Sequence, residues 1–190
     1  MPQCPRHLAL AAGLAPLLGL AAPAFAQDAD ALAKQLSNPI ASLTSVPMQF
    51  NWDTGLGPDD DGGRVTLNVQ PVIPMSIGED WNLISRTIVP IVNQWDVVPG
   101  QGDQFGLGDT VQSLFFSPKA LTAGGWTWGV GPVFLVPTAT DDFLGTEKWG
   151  AGPTGVALRQ TASGWSYGLL FNHLWSFAGN DDRQDINATF

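Results

Sequence analysis

From Leu43 onward the apolar residues of this chain recur at every second position, over stretches longer than ordinary strands. Side chains of an extended strand point to alternate faces, so such a segment has one apolar and one polar side. Residues 43–52 set Val46, Met48, Phe50 and Trp52 against Gln49 and Asn51. Residues 64–76 set Val65, Leu67, Val69 and Ile73 against Thr66, Asn68 and Gln70. Residues 126–138 alternate Trp126, Trp128, Val130, Phe134 and Val136 with Thr127, Gly129 and Gly131. Residues 165–177 put Trp165, Tyr167, Leu169, Phe171, Trp175 and Phe177 opposite Ser166, Gly168, Asn172 and Ser176. Three further segments, 81–95, 105–117 and 149–160, complete seven strands, and an eighth begins near Gln184. Two of them are less clean. Ile84 and Ile88 flank Arg86 on one parity while Leu83, Val89 and Ile91 occupy the other, and Leu114-Phe115-Phe116 leaves its faces open.

Segments of about 10 to 14 residues exceed the roughly 5 or 6 of an average strand and match the roughly 9 to 11 of a tilted membrane strand. The connections alternate. Odd ones are long and hold most of the acid: Asp59, Asp60, Asp61, Asp103, Asp141, Asp142, Glu147, Asp181 and Asp182. Even ones are mostly short and nearly neutral. Alternate turns of an up-and-down sheet fall at opposite ends, and long loops outside with short turns inside is the habit of outer-membrane barrels. Trp81, Trp126, Trp149 and Trp165 begin segments and Trp52, Trp95 and Trp175 end them, as expected of an aromatic girdle in the headgroup layer. Charged residues make up only 13%, about half the soluble average. The fold class expected is all-β, an antiparallel up-and-down transmembrane β-barrel with about eight strands.

The amino terminus reads as a signal peptide, residues 1–26. Arg6 supplies a positive n-region, an apolar run follows, and Ala24-Phe25-Ala26 offers a small-x-small cleavage site before Gln27. The run is interrupted by Pro16 and Pro23 and is shorter than the roughly 20 residues of a spanning helix. Cys4 leaves with the peptide, so the mature chain has no thiol chemistry. Residues 27–42 form a periplasmic segment with a helix-compatible piece at 29–36, and the barrel domain occupies 43–190. The localisation expected is the outer membrane.

Candidate chemistry is sparse. Adjacent Asp59, Asp60 and Asp61 splay apart and lack the alternate spacing of a calcium loop, so they read as a solvated turn, and no metal site is expected. His173, near Ser176, has no adjoining carboxylate to complete a hydrolytic triad; no catalytic residue is expected. The G-x-G of Phe105–Thr110 precedes no helix, so it cradles no phosphate, and no cofactor is expected. A net charge of −9 argues against nucleic acid as partner. Lipid and lipopolysaccharide are the expected partners. Arg86, facing lipid, would cost roughly 2 to 4 kcal/mol; it is expected to point into the lumen beside Gln49, Asn51, Asn68 and Gln70, pairing with Asp109 or Asp53 or lining a permeation path. Pro71, Pro74, Pro90, Pro132 and Pro153 each remove a ladder donor, so bulges or kinks are expected near them.

The stretches "LNVQPVIPMSIGEDWNLISRTIVPI", "FGLGDTVQSLFFSPK", "GPVFLVPTATDDFLGTEKWGAGPTGVAL" and "FNHLWSFAG" resemble a family of Gram-negative outer-membrane proteins related to those of the phenol meta-degradation pathway, commonly labelled transporters or "neuromedin U". The resemblance spans about Leu32 to Phe190. It implies a barrel channel or transporter for small hydrophobic or aromatic molecules, with no catalytic motif. Members continue past the position matching Phe190, which implies that the strands here belong to a larger barrel. Acidic outer loops would bias such a channel against anions. Two alternatives stand beside it: a non-conducting structural or surface-interaction barrel, since eight strands leave an interior that side chains fill, and a soluble two-sheet sandwich.

Overall fold

The computed structural model describes residues 43–161 and 163–190. The expected signal peptide and the piece at 29–36 lie outside them. Ten strands follow in order: β1 (Met48–Leu56), β2 (Gly62–Val69), β3 (Val72–Ser76), β4 (Trp81–Trp95), β5 (Gln104–Leu107), β6 (Thr110–Pro118), β7 (Trp126–Val136), β8 (Lys148–Gln160), β9 (Ser166–Gly179) and β10 (Asn187–Thr189). All described pairings are antiparallel and build one sheet, in the order β1-β2-β4-β6-β7-β8-β9-β10. β2 and β3 pair with β4 in one continuous register, from Gly63 opposite Trp95 to Ser76 opposite Asn82. They are two halves of one long strand, broken where Pro71 supplies no N–H. β5 and β6 run along the other side of β4. One extra residue slips the register between them, at Gly108-Asp109, a bulge that bends the strand. Ten strands thus fill eight positions of a curled half-barrel. The sandwich is ruled out for the described residues, because one sheet holds every strand.

Residues opposite each other on a ladder share a face. One face carries a buried cluster of Val72, Ile84, Phe115 and Val156, with Leu170 against it. A second cluster joins Val133, Leu135 and Leu174, with Val111 and Ile186 packed on it. A single sheet buries one face only by curling around it, so this is the concave side. The convex side stays open: Met48 is 70% exposed, Leu169 73%, and Phe50, Trp52, Val130, Phe171 and Phe177 are exposed too. The faces left open by the sequence are thereby assigned. Ile84 and Arg86 lie on the concave side with Phe115, whereas Leu83 and Phe116 look outward.

Four of the five prolines mark irregularities. Pro71 breaks β2 from β3. Pro90 accepts from Gly108 N–H at the β5–β6 slip. Pro132 sits opposite Pro153, and there the β6–β7 and β8–β9 ladders skip residues. The neighbouring glycines explain how the strands still close up. A Cβ on Gly131 would collide with the carbonyl of Leu114, and one on Gly152 with that of His173. Pro74 lies in a regular stretch of β3, opposite Ile84.

Several boundaries differ from expectation. The first strand starts at Met48 rather than Leu43, although Ser45 bridges Val72. The last starts at Asn187 rather than Gln184, because Ile186 turns into the core and Asp185 reaches Lys148. Trp52 and Trp175 do not end strands: β1 and β9 continue to Leu56 and Gly179. Each ladder there continues for three more residue pairs beyond its tryptophan.

Candidate functional site on the concave face

Two hydrogen-bonded relays run across the concave side. In the first, Arg86 Nη2 on β4 donates to Gln70 Oε1 at 2.6 Å, Gln70 Nε2 to Gln49 Oε1 at 2.9 Å, and Gln49 Nε2 to Asn51 Oδ1 at 3.0 Å. Gln70 is 6% exposed. Asn68 lies in the same row, opposite Gln49 and Pro90. In the second relay, Arg64 Nε on β2 donates to Gln94 Oε1 at 2.9 Å and Gln94 Nε2 to Gln104 Oε1 at 2.8 Å. Gln104 Nε2 then ends on the Gly102 carbonyl at 2.6 Å. Arg64, Gln94 and Gln104 were not singled out from the sequence, although Arg64 shares the polar parity of Thr66 and Asn68.

The expected pairing of Arg86 with Asp109 or Asp53 is corrected. Among the described residues the ion pairs are Lys148–Asp185 and Arg183–Glu147, and neither concave arginine takes part in one. Asp53 lies across the ladder from Arg64 instead. Asp109 is occupied elsewhere: Oδ1 accepts from Ala139 N–H at 3.2 Å, and Oδ2 from Thr146 N–H and Thr146 Oγ1, each at 2.6 Å. These bonds fasten residues 137–147, the connection from β7 to β8, over the loop end of the sheet. Thr140 and Thr138 add bonds to Leu107 N–H and the Gly108 carbonyl. The bulge that bends β5 into β6 is what aims the Asp109 carboxylate at this loop.

A cavity of about 280 Å³ opens beneath the loop, walled by Arg64, Thr66, Val92 and Gln94 from the sheet, Asp109, and Phe143 to Thr146. A recess of about 290 Å³ on the loop's other side is lined by Thr146, Arg183, Asp185 and Ile186. Electrostatic ties hold the rim. Arg183 pairs with Glu147 at 2.6 Å and also donates to the Asp142 carbonyl, while Asn180 Nδ2 donates to Glu147 at 2.6 Å. Those partners, Asn180 foremost, hold the Glu147 carboxyl below its ordinary range. Lys148, whose side chain is 6% exposed, reaches Asp185 at 3.0 Å, and this bond, with one from Ser176, depresses Asp185 likewise. Asp59, Asp60 and Asp61 stand exposed on the β1–β2 turn, and Asp142, Asp181 and Asp182 are exposed on their loops.

The aromatics form two bands. At the short-turn end, Trp81 meets Trp128 edge-on at 6.0 Å and Trp126 meets Tyr167 at 5.7 Å, with Trp165 beside them in sequence. Trp52, Trp95, Trp149 and Trp175 lie toward the long-loop end. His173 meets Trp175 edge-on with ring centroids 4.1 Å apart, and its Nδ1 lies 2.6 Å from Thr189 Oγ1. It is on the convex side, whereas Ser176 faces inward to Asp185. The two cannot act on one substrate atom.

No family model matches the chain, and comparison with curated proteins and with solved structures brought no match either.

Proposed function

We propose that this chain forms the wall of an outer-membrane β-barrel whose polar concave face passes small molecules. The observation that carries the reading is the convex face. Met48, Phe50 and Trp52 on β1, Val130 and Phe134 on β7, and Tyr167, Leu169, Phe171, Trp175 and Phe177 on β9 are all exposed together. A water-soluble monomer seldom exposes apolar patches beyond a few hundred Å², whereas hydrocarbon favours such a surface. Three polar side chains on this face satisfy one another: Thr87 Oγ1 donates to Gln112 Oε1 at 2.6 Å, and Gln112 Nε2 to Ser85 Oγ at 3.0 Å. That economy suits a surface without water. The tryptophan bands then lie in the two headgroup layers, the acidic loops outside with lipopolysaccharide, and the short turns in the periplasm. Residues 1–26 would direct export.

A membrane sheet must have no free edge. Eight positions leave β1 and β10 antiparallel to each other, so closure, directly or through added strands, keeps the alternation. Closure through added strands would give a wider lumen than direct closure of eight. The non-conducting alternative draws support from the apolar belt of Val72, Ile84, Phe115 and Val156, which fills part of the concave side.

Detergent-extracted protein is expected to shift on a gel after heating and to give discrete steps in a planar bilayer. A chain that stays monodisperse in plain buffer refutes the membrane reading. A heat-shifting protein that is silent at every voltage favours the non-conducting barrel.

A further inference from the structure

We propose that the cavity beneath the 137–147 loop binds a small organic carboxylate, its acid group held by the Arg64 guanidinium. The inference deepens the channel reading by assigning the concave face a ligand class.

Arg64 donates through Nε to Gln94, and among the described residues that is the one hydrogen bond shown for its guanidinium. No hydrogen bond is shown for either Nη among the described residues, and Arg64 itself lines the cavity. A guanidinium presents a planar fork matched to a carboxylate's two oxygens. The Gln94 bond holds this fork by its Nε corner, and Gln94 is itself fully buried and fixed by Gln104. The fork is therefore positioned before any ligand arrives, which reduces the ordering cost of binding.

The other groups sort by chemistry. Asp109 also borders the cavity, but its oxygens are taken by Ala139 and Thr146. It has little acceptor capacity left for a cation, so the free hydrogen-bonding capacity is donor-rich. Thr66 adds a hydroxyl, while Val92, Phe143 and Leu144 give an apolar flank. The ligand is thus an anion with a short apolar body. A volume of about 280 Å³ lies at the small end of ligand pockets, roughly 300 to 1,000 Å³. The nearest acids are Asp53, across the ladder from Arg64, and Asp109 on the cavity border, and among the described residues neither forms an ion pair with Arg64.

The test is calorimetric titration of the full chain in detergent with isovalerate, and with isovaleramide as the uncharged isostere. Wild type is expected to bind isovalerate and to reject the amide. Arg64→Gln should weaken isovalerate at least tenfold, and Thr66→Val more mildly. Lys119→Gln, which removes a cation from a turn at the opposite end, should leave it unchanged. Equal binding of acid and amide, no binding, or indifference to Arg64→Gln in a heat-shifting protein overturns the site. Should Arg64→Gln not fold, the acid-against-amide comparison in wild type still decides. A protein silent in the bilayer that binds isovalerate through Arg64 keeps the site and discards the channel. One that conducts but ignores isovalerate does the reverse.

Discussion

Replacing Asp109 by alanine deletes the acceptor that three donors of the 137–147 loop share. Ala139 N–H, Thr146 N–H and Thr146 Oγ1 all end on this one carboxylate. A hydrogen bond to a charged group contributes about 1.5 to 3 kcal/mol net. Three on one group do not add fully, and Asp109 is only half-buried, so the loop should lose about 2 to 3 kcal/mol against local opening. At about 1.4 kcal/mol per factor of ten, the Thr146 amide should exchange with solvent roughly thirty to a hundred times faster. Thr138 and Thr140 keep their own bonds to β5 and the bulge, so acceleration should concentrate at the Ala139 amide and across 141–146. Asp109→Asn retains one acceptor oxygen and turns an NH₂ toward a donor, and should fall between. Hydrogen exchange read by mass spectrometry on peptides covering 137–147 measures this directly. Unchanged exchange in Asp109→Ala, with the heat shift intact, would refute the assignment of Asp109 as the clasp.

Three other expectations concern the frame around the site. Gly131→Ala and Gly152→Ala each drive a Cβ into a neighbouring carbonyl and should cost about 3 kcal/mol or more, seen as lost heat-modifiability or a large fall in the unfolding midpoint; wild-type midpoints would show that the strands approach less closely. Arg86→Met removes the donor to Gln70 Oε1 and leaves that buried acceptor unpaired, which should cost about 1 to 3 kcal/mol; an unchanged unfolding midpoint would mean that relief from desolvating the half-buried guanidinium offsets the lost bond. Glu147 and Asp185 have folded pKa values below their ordinary ones, so their stabilisation is complete above the unfolded carboxylate range of about 4 and vanishes as pH falls through the folded values; protease nicking of the 137–147 and 180–186 loops should rise only below that range, and Glu147→Gln should flatten its share of the dependence.

The strand content was legible because a half-exposed strand must alternate, and alternation is written locally. Residues 81–95 coincide with β4, Trp126 begins β7, and Trp149 and Trp165 lie within a residue of the start of β8 and β9. Prolines could be read as trouble without neighbours, since each lacks a donor wherever it sits. Arg86 could be placed beside Gln70, because parity alone sets its face. Its partner could not: two strands meet in space by register, and the one-residue slip at Gly108-Asp109 is what turned Asp109 toward the loop instead. Arg64 went unnoticed for the same reason, as only the docked loop makes a cavity of its surroundings.

The linear order of residues determined the sidedness of the cleanly alternating ribbons, the alternation of long acidic and short neutral turns, and the tryptophan bands, because these depend on nearby residues in the chain. Curling decided the rest. It chose which side would be enclosed, brought Phe115 against Val156 across the glycines of β7, and folded residues 137–147 onto Asp109. Those outcomes depend on distances between segments tens of residues apart, which no local periodicity encodes.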